Sequence, residues 1–329
     1  MGFLAAILTV AVLLGGVGTV AAAETVTLAR LPSGLAQADA DTVVAGTHDA
    51  KAQPVAGVLL GPDRDESRWW RIAAVQPWTA HEAPLLVFYA PYANRIVVAA
   101  PPDYRRRTLA LRDPGLDPRW SRHAFVVPLP RDWSPQTPAY VFVEEGRRFP
   151  MRVAVEHPAA FAAGDLAHVR LLTVLLTALG VMAVVVAFFA IVLREADFAL
   201  LAGALAFQLL FQLLVTGEAY GLPLLRALGA FGVQPIWIAR ALGSACLFAF
   251  LARFLALAHH APRLDRLLRV AALAFVALAL LALLPLEWTR AWLAYSGNAL
   301  LVLTAVVVVV AAVRALRRGS RAATPSATR

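Results

Sequence analysis

The sequence predicts a two-part membrane protein, in which an all-β sandwich precedes an α-helical transmembrane bundle of five helices. Three observations predict this architecture. Five long apolar runs lie in the second half of the 329-residue chain, residues 24–165 contain no such run, and a short apolar stretch opens the sequence. An apolar run of about 20 residues is long enough to cross a bilayer as a helix.

The N-terminus has the pattern of a secretory signal peptide. The apolar stretch at residues 3–14 is short for a membrane span, and Ala21, Ala22 and Ala23 follow it before the polar sequence begins. Small residues at this place mark a cleavage site. We therefore expect residues 1–23 to be a signal peptide. Because no basic side chain precedes the apolar stretch, an uncleaved anchor stays open as the alternative.

The exported region, residues 24–165, has the pattern of short strands. Residues 24–67 predict an irregular lead-in with one or two strands, and later apolar runs alternate with turn residues such as Asp113-Pro114-Gly115. This spacing is typical of an antiparallel sandwich. The single cysteine, Cys246, lies outside the region, so the sandwich is expected to fold without a disulfide. The predicted strands are 69–75, 85–89, 95–99, 123–129, 139–144 and 151–155.

The apolar runs define a transmembrane domain over 166–316, followed by a basic and polar tail at 317–329. Residues 24–165 hold 16 basic and 16 acidic residues, so the net charge of +9 falls on 166–329. Nine of the 14 arginines there lie in loops predicted to be cytoplasmic. Because basic residues concentrate on the cytoplasmic side, the sandwich is expected outside and the C-terminus inside. The predicted helices are 171–193, 198–215, 236–258, 270–286 and 292–313.

The sequence carries no pattern for catalysis, metal binding or cofactor binding. His259 and His260 are adjacent, whereas two imidazoles that share a metal on one helix stand four residues apart. Glycine-rich phosphate loops and the signature of a diguanylate cyclase are missing too. We therefore expect no enzyme activity, no metal and no cofactor. The pI is near 10.7, but the basic residues flank lipid-crossing helices, so their expected partner is membrane lipid rather than nucleic acid.

Several stretches resemble the bacterial seven-transmembrane receptors with diverse intracellular signalling modules. The membrane stretches that carry the resemblance are READFALL at 194–201, GEAYG at 217–221, FLARFLAL at 250–257 and PRLDRLL at 262–268. The exported stretches resemble the second type of extracellular domain in that family. These are WWRI at 69–72, PLLVFY at 84–89, NRIVV at 94–98, HAFVVPL at 123–129, AYVFVE at 139–144 and PMRV at 150–153.

The resemblance implies an inner-membrane sensory receptor. Its periplasmic domain would be a jelly-roll-like sandwich that binds a carbohydrate or another small molecule. The output, such as a diguanylate cyclase or a histidine kinase, would lie in a full-length version or in a cytoplasmic signalling partner. A second copy of the chain, forming a homodimer, is the other expected partner.

Two alternatives stay open beside this reading. The family has seven helices and this sequence predicts five, so we expect a truncated gene product, with a shortened receptor acting through a separate partner as the second reading. The rival class is a membrane transporter or assembly factor with a periplasmic domain.

Six residues of the exported region are candidates for contact with a ligand. Aromatic rings suit the apolar faces of sugars, and a neighbouring arginine could hold an anion. The alternative is a place in the core for the aromatic residues and in a solvated loop for the arginine. Trp69 and Trp70 are adjacent and point to opposite faces of a strand, so only one of them is expected in the core. The candidates are Trp70, Trp78, Tyr92, Tyr104, Arg105 and Trp120.

Polar residues in the membrane domain are candidates for coupling between its helices, because burying them in lipid is costly. Glu218 and Arg240 fall at similar depth near the outer face, and we expect them to form an ion pair. Gln208, Gln212 and Asn298 complete the set. The alternative for the amides is an ordinary hydrogen bond between helices, worth about 0.6 kcal/mol each.

The topology can be tested with alkaline phosphatase fusions, because this enzyme is active only after export. Fusions after residues 160 and 230 should be active, and fusions after residues 264 and 320 should be inactive. Phosphatase assays on intact cells measure this. Activity at 264 or 320 would contradict the positive-inside assignment.

Overall fold

The computed structural model divides the chain into two compact units. The first comprises the chain up to Ala110 together with His123–Ala163, and the second comprises Leu111–Arg122 together with the chain from Gly164 onward. The predicted signal peptide, Tyr92 and most of the fifth predicted helix lie outside the described residues. The structure describes residues 26–60, 68–89, 95–113, 116–117, 119–145, 151–260, 262–284, 297–299, 302 and 306.

The first unit consists mainly of two antiparallel sheets, which confirms the predicted sandwich-like all-β fold. Its strands are β1 (Val26–Arg30), β2 (Gln53–Val55), β3 (Leu59–Leu60), β4 (Trp69–Ala74), β5 (Leu85–Tyr89), β6 (Arg95–Ala99), β7 (Arg106–Ala110), β8 (Ala124–Pro128), β9 (Ala139–Glu145) and β10 (Met151–Glu156). The larger sheet has the order β2-β1-β4-β9-β6-β7, and the smaller has the order β3-β10-β5-β8. Successive strands such as β9 and β10 therefore lie in different sheets.

The lead-in is more regular than the sequence predicts, and it covers one face of the larger sheet. β1 lies inside that sheet, between β2 and β4. A short helix α1 (Ala40–Val44) follows, flanked by 3-10 turns at Gln37–Asp39 and Asp49–Lys51. Its buried Ala40 and Val43 pack in one cluster with Trp69 of β4.

This cover corrects the expectation that only one of the two tryptophans on β4 lies in the core. Trp69 and Trp70 are 1% and 2% exposed. Successive residues of a strand point to opposite faces, so both faces of β4 must be covered. On the lead-in side, Trp69 Nε1 donates a hydrogen bond to the Ala36 carbonyl oxygen at 3.0 Å.

The second unit contains the long helices. Among the described residues, three helices are long and apolar enough to cross a membrane: α2 (Pro158–Leu193), α3 (Ala196–Thr216) and α4 (Gln234–Phe254). The predicted third span is interrupted, because α4 ends at Phe254 and the short α5 (Leu257–His260) follows. The predicted fourth span begins inside α6 (Pro262–Leu281), whose first turns carry charged residues.

Helices α3, α4 and α6 pack through small and aromatic residues. α4 buries Ala241, Gly243 and Ala245, and a Cβ on Gly243 would lie 3.3 Å from the Cβ of Phe207 on α3. Phe248 of α4 and Phe275 of α6 have ring centres 5.6 Å apart. Small residues let membrane helices approach closely, which is the main source of their packing energy in lipid.

The first unit includes the start of α2, where Phe161 packs against the strands. This packing can be tested. Phe161 is 1% exposed, and its ring centre lies 6.0 Å from that of His123 and 6.3 Å from that of Tyr89. A fragment of residues 24–163 should be soluble and β-rich by circular dichroism. In that fragment, Phe161→Ala should lower the free energy of unfolding by about 3–5 kcal/mol, because it leaves a cavity.

The matched control is Leu59→Ala, since Leu59 is an apolar side chain that is 53% exposed. Its effect on the free energy of unfolding should stay within about 0.5 kcal/mol. Urea unfolding followed by circular dichroism measures both variants. A mainly helical spectrum, or equal losses in the two variants, would contradict the assignment of Phe161 to the first unit.

Candidate functional site

The predicted aromatic ligand residues do not share one place in the fold. Trp70 is a core residue, with the Arg30 guanidinium 5.3 Å from its ring centre. Trp78 is half-buried, donates to the Glu82 carbonyl oxygen at 2.9 Å and has its ring 4.6 Å from that of His157. Trp120 belongs to the second unit. Their role in ligand binding stays a prediction.

Tyr104 lies beside a polar cluster on the first unit. Its ring centre is 6.4 Å from that of Tyr140, whose hydroxyl donates to the Asp49 carboxylate at 3.0 Å. Arg71 Nε donates to the same carboxylate at 3.0 Å. Burial raises the pKa of both phenols, and the charge of Asp49 adds to that effect. The hydrogen bond from Tyr140 to Asp49 raises the pKa of Tyr140 further.

Arg105 and Arg106, which follow Tyr104, are exposed and form ion pairs on the surface. Arg105 Nε lies 3.8 Å from Asp103, and Arg106 pairs with Asp41. Ion pairs in such positions contribute about 0–1 kcal/mol. This geometry agrees with the solvated-loop alternative for Arg105.

A different site emerges in the second unit, at the loop between α3 and α4. α3 ends at Gly217, which has φ of +83°. The segment Leu111–Arg122, named segment 111–122 from here on, packs against this loop. A Cβ on Gly217 would lie 2.7 Å from Leu111 Cδ1 and 3.2 Å from Arg122 Cβ. Gly217 therefore provides both the left-handed turn and the space that segment 111–122 fills.

Segment 111–122 is closed on itself by Arg122. Its Nη1 donates to the carbonyl oxygens of Leu111 at 2.8 Å and Asp113 at 3.2 Å. Burial lowers the pKa of Arg122, and the negative charges of Glu218 and Asp113 oppose this shift. Leu111 is only 4% exposed. The two ends of the segment thus meet above Gly217, one apolar and one charged.

Two more glycines of the same loop leave space for segment 111–122. A Cβ on Gly229 would lie 3.7 Å from Arg112 Cβ and 3.5 Å from Tyr220 Cδ1. A Cβ on Gly232 would lie 3.3 Å from Arg112 Nη1. The Arg112 side chain therefore runs along the loop from Gly229 to Gly232. Tyr220, in the 3-10 turn after Gly217, is 1% exposed, and burial raises the pKa of its phenol.

Next to Arg122, segment 111–122 is also bound to the first membrane helix. The backbone N–H of Ser121 donates to Asp165 Oδ2 at 3.2 Å, and the Ser121 hydroxyl donates to Oδ1 at 2.6 Å. Asp165 lies on α2 and is 7% exposed. A buried carboxylate needs such donors, because removing them leaves an unsatisfied charge.

The polar residues of the membrane domain take different places from those expected. Within the described part of the chain, Glu218 and Arg240 form no ion pair. The turn at Gly217 ends α3 before Glu218, whose charge acts on Arg122, while the Arg240 guanidinium lies 6.0 Å from the ring centre of Phe211. Gln208 and Asn298 are exposed, and Gln212 is half-buried. Their role in coupling stays a prediction.

A comparison with protein families decides the identity of the helical part. Residues 170–325 match the family model described as 7TM diverse intracellular signalling. The membrane domain of the chain is therefore similar to this family. The match confirms the family indicated by the membrane stretches of the sequence. A comparison with curated proteins found no match.

Sequence reasoning missed segment 111–122. The segment reads as a turn between two strands, and its Asp113-Pro114-Gly115 motif supports that reading. The available signal was an unusual number of glycines in the loop after α3, namely Gly217, Gly221, Gly229 and Gly232. Only the fold shows which segment packs against those glycines.

The polar cluster of the first unit can be tested with two matched substitutions. Asp49→Asn weakens the bonds from Tyr140 and Arg71, and should lower the free energy of unfolding by about 1.5–3 kcal/mol, the range for hydrogen bonds to charged groups. Asp41→Asn removes the partner of Arg106 at a carboxylate that is 90% exposed, and should cost less than about 1 kcal/mol. Urea unfolding of the 24–163 fragment measures both. Equal losses would show that the cluster is as solvent-screened as the surface pair.

Proposed function

We propose that this protein is a membrane sensory receptor, in which the two-sheet unit receives a signal and the helical unit passes it on. One observation carries the proposal. Segment 111–122 connects β7 to β8 along the chain, yet it belongs to the compact helical unit. A change in the position of those strands would act on the helices through the backbone itself.

The proposed signal is a small molecule, with a carbohydrate as the first candidate. The support is the resemblance to the second-type extracellular domain, together with half-buried aromatic side chains at Trp78 and Tyr104. The proposed setting is a bacterial inner membrane, with the sandwich in the periplasm and the C-terminus in the cytoplasm. The arginine bias of the membrane domain supports this orientation.

We propose that another component reads the state of the helices. A cytoplasmic signalling partner or a second copy of the chain would read the state of the helices. Among the described residues there is no cluster of histidine, cysteine, aspartate or glutamate that could hold a metal. We accordingly propose a receptor without enzyme activity, cofactor or metal of its own.

The rival function, transport, calls for a polar path between the helices. A groove between α2 and α3 is lined by apolar side chains, among them Val181, Val184 and Leu209. Gln208 is exposed rather than enclosed by the helices. This lining favours the receptor.

The test uses the full chain in lipid nanodiscs and its single cysteine as a reporter. Cys246 is half-buried on α4, and a Cβ on Gly203 of α3 would lie 3.2 Å from its sulfur. A panel of neutral and anionic mono- and disaccharides should contain a member that raises the melting temperature and changes the rate at which maleimide modifies Cys246. Transport predicts instead that the same sugar accumulates inside proteoliposomes.

A sugar that binds and alters the reactivity of Cys246 without accumulating supports the receptor. Accumulation of the sugar in the vesicles would replace the receptor by a transporter. Binding that leaves the reactivity of Cys246 unchanged would show that the two-sheet unit does not act on the helices. Trp78→Ala should abolish the shift in melting temperature if that ring contacts the sugar.

A further inference from the structure

We infer that segment 111–122 is a strap that ties the first membrane helix, α2, to the loop between α3 and α4. The strap sets the position of α2 beside α3, and Gly217 and Asp165 are its positioning residues. The inference deepens the proposed function, because it names the element through which a signal would reach the helices.

Leu111 and Arg122 of the strap pack against Gly217, and this contact is called the seat. The Leu111 side chain occupies the place that a Cβ on Gly217 would need, at 2.7 Å from Cδ1 and 2.9 Å from Cγ. Distances this short cannot be met without movement of the leucine or of the backbone. The Arg122 side chain closes the segment on the same glycine, through its bonds to the Leu111 and Asp113 carbonyl oxygens. The seat therefore depends on a residue without a side chain at position 217.

Ser121, the residue before Arg122, binds the strap to α2 through hydrogen bonds to a carboxylate. Asp165 accepts both the backbone N–H and the hydroxyl of Ser121. These bonds join the strap to α2 near the helix start, one residue before Arg122 turns back to the seat. A displacement of the strap must therefore move α2 or break two hydrogen bonds to a buried carboxylate.

Beyond this point α2 makes few contacts within the described bundle. One of them joins Phe189 of α2 to Phe198 of α3, whose ring centres lie 6.0 Å apart. Ala183 is the sole buried residue among residues 166–193, all of which the structure describes. An apolar groove of about 880 Å³ lies along the line where α2 meets α3. Small residues line it on both sides, with Gly180 and Ala187 on α2 and Ala202 and Ala206 on α3. By contrast, α4 buries seven residues in the bundle.

The geometry thus makes α2 the helix that can move, and the strap the element that moves it. A shift of β7 and β8 would displace the strap, and the Ser121–Asp165 bonds would carry that displacement to α2. The groove gives α2 room to open from α3 or close on it without breaking a packed core.

Cross-linking between α2 and α3 tests the strap in the full chain. A Cβ on Gly180 would lie 3.7 Å from Leu209 Cδ2, so Gly180→Cys and Leu209→Cys in a Cys246→Ser background place two thiols across the groove. A short, membrane-permeant bis-maleimide then reports how often the helices meet. Ser121→Ala with Asp165→Asn should lower the cross-linking rate roughly tenfold, as expected for lost hydrogen bonds to a charged group.

The seat is broken separately by Gly217→Ala, which should lower the rate to a similar extent. Adding Leu111→Ala removes the clashing side chain and should restore most of the rate. Gly34→Ala is the control for a glycine with positive φ, because it lies in the first unit and a Cβ there would meet nothing within 4 Å. Ser134→Ala with Asp132→Asn is the control for the polar pair, since both residues lie in the first unit. Both controls should change the rate by less than roughly twofold.

The outcomes separate this inference from the proposed function. Rates that rise or stay at the wild-type value in both strap-breaking variants overturn the strap, whatever sugar the protein binds. The same holds if a sugar alters Cys246 reactivity as strongly in Ser121→Ala with Asp165→Asn as in the wild type. Cross-linking that needs the strap, in a protein whose helices respond to no sugar, would support the strap and remove the sugar receptor.

Discussion

The absence of a side chain at Gly217 is the constraint on which the second unit depends. The same residue ends α3 with a left-handed turn and leaves the space that Leu111 and Arg122 fill. An alanine there would bear the strain of positive φ and the clash with Leu111 together. Without that turn and that space, segment 111–122 could not reach the loop, and Ser121 would not be held beside Asp165.

The two units solve the problem of burial in different ways. In the sandwich, large side chains are covered from both faces, so Trp69 and Trp70 are both buried on one strand. In the bundle, helices approach through alanine and glycine, because lipid offers no apolar driving force between them. Close helix packing accordingly occurs at Gly243, against Phe207, and at Gly203, against Cys246.

In each unit, a buried or half-buried acidic residue accepts hydrogen bonds from segments that are distant in the sequence. Asp49 receives Tyr140 and Arg71 on the larger sheet, and Asp165 receives Ser121 on the first membrane helix. Each carboxylate joins segments far apart in the sequence, and each would be costly to leave without donors. At the opposite end of the bundle, the exposed Arg253 reaches Asp197 at 2.5 Å and connects α4 with the start of α3.

The sequence by itself determined what depends on local composition. Hydropathy located α2, α3 and α4, because a segment in lipid must be apolar along its length and must form its backbone hydrogen bonds within itself, as a helix does. The alternation of apolar runs with turn residues located most strands after residue 68. The tertiary structure alone decided the lead-in cover over Trp69, the separation of Glu218 from Arg240, and the place of segment 111–122. Those features rest on close approach between distant segments, as at Gly217 and Leu111, and no local pattern encodes the shape of a partner found a hundred residues away.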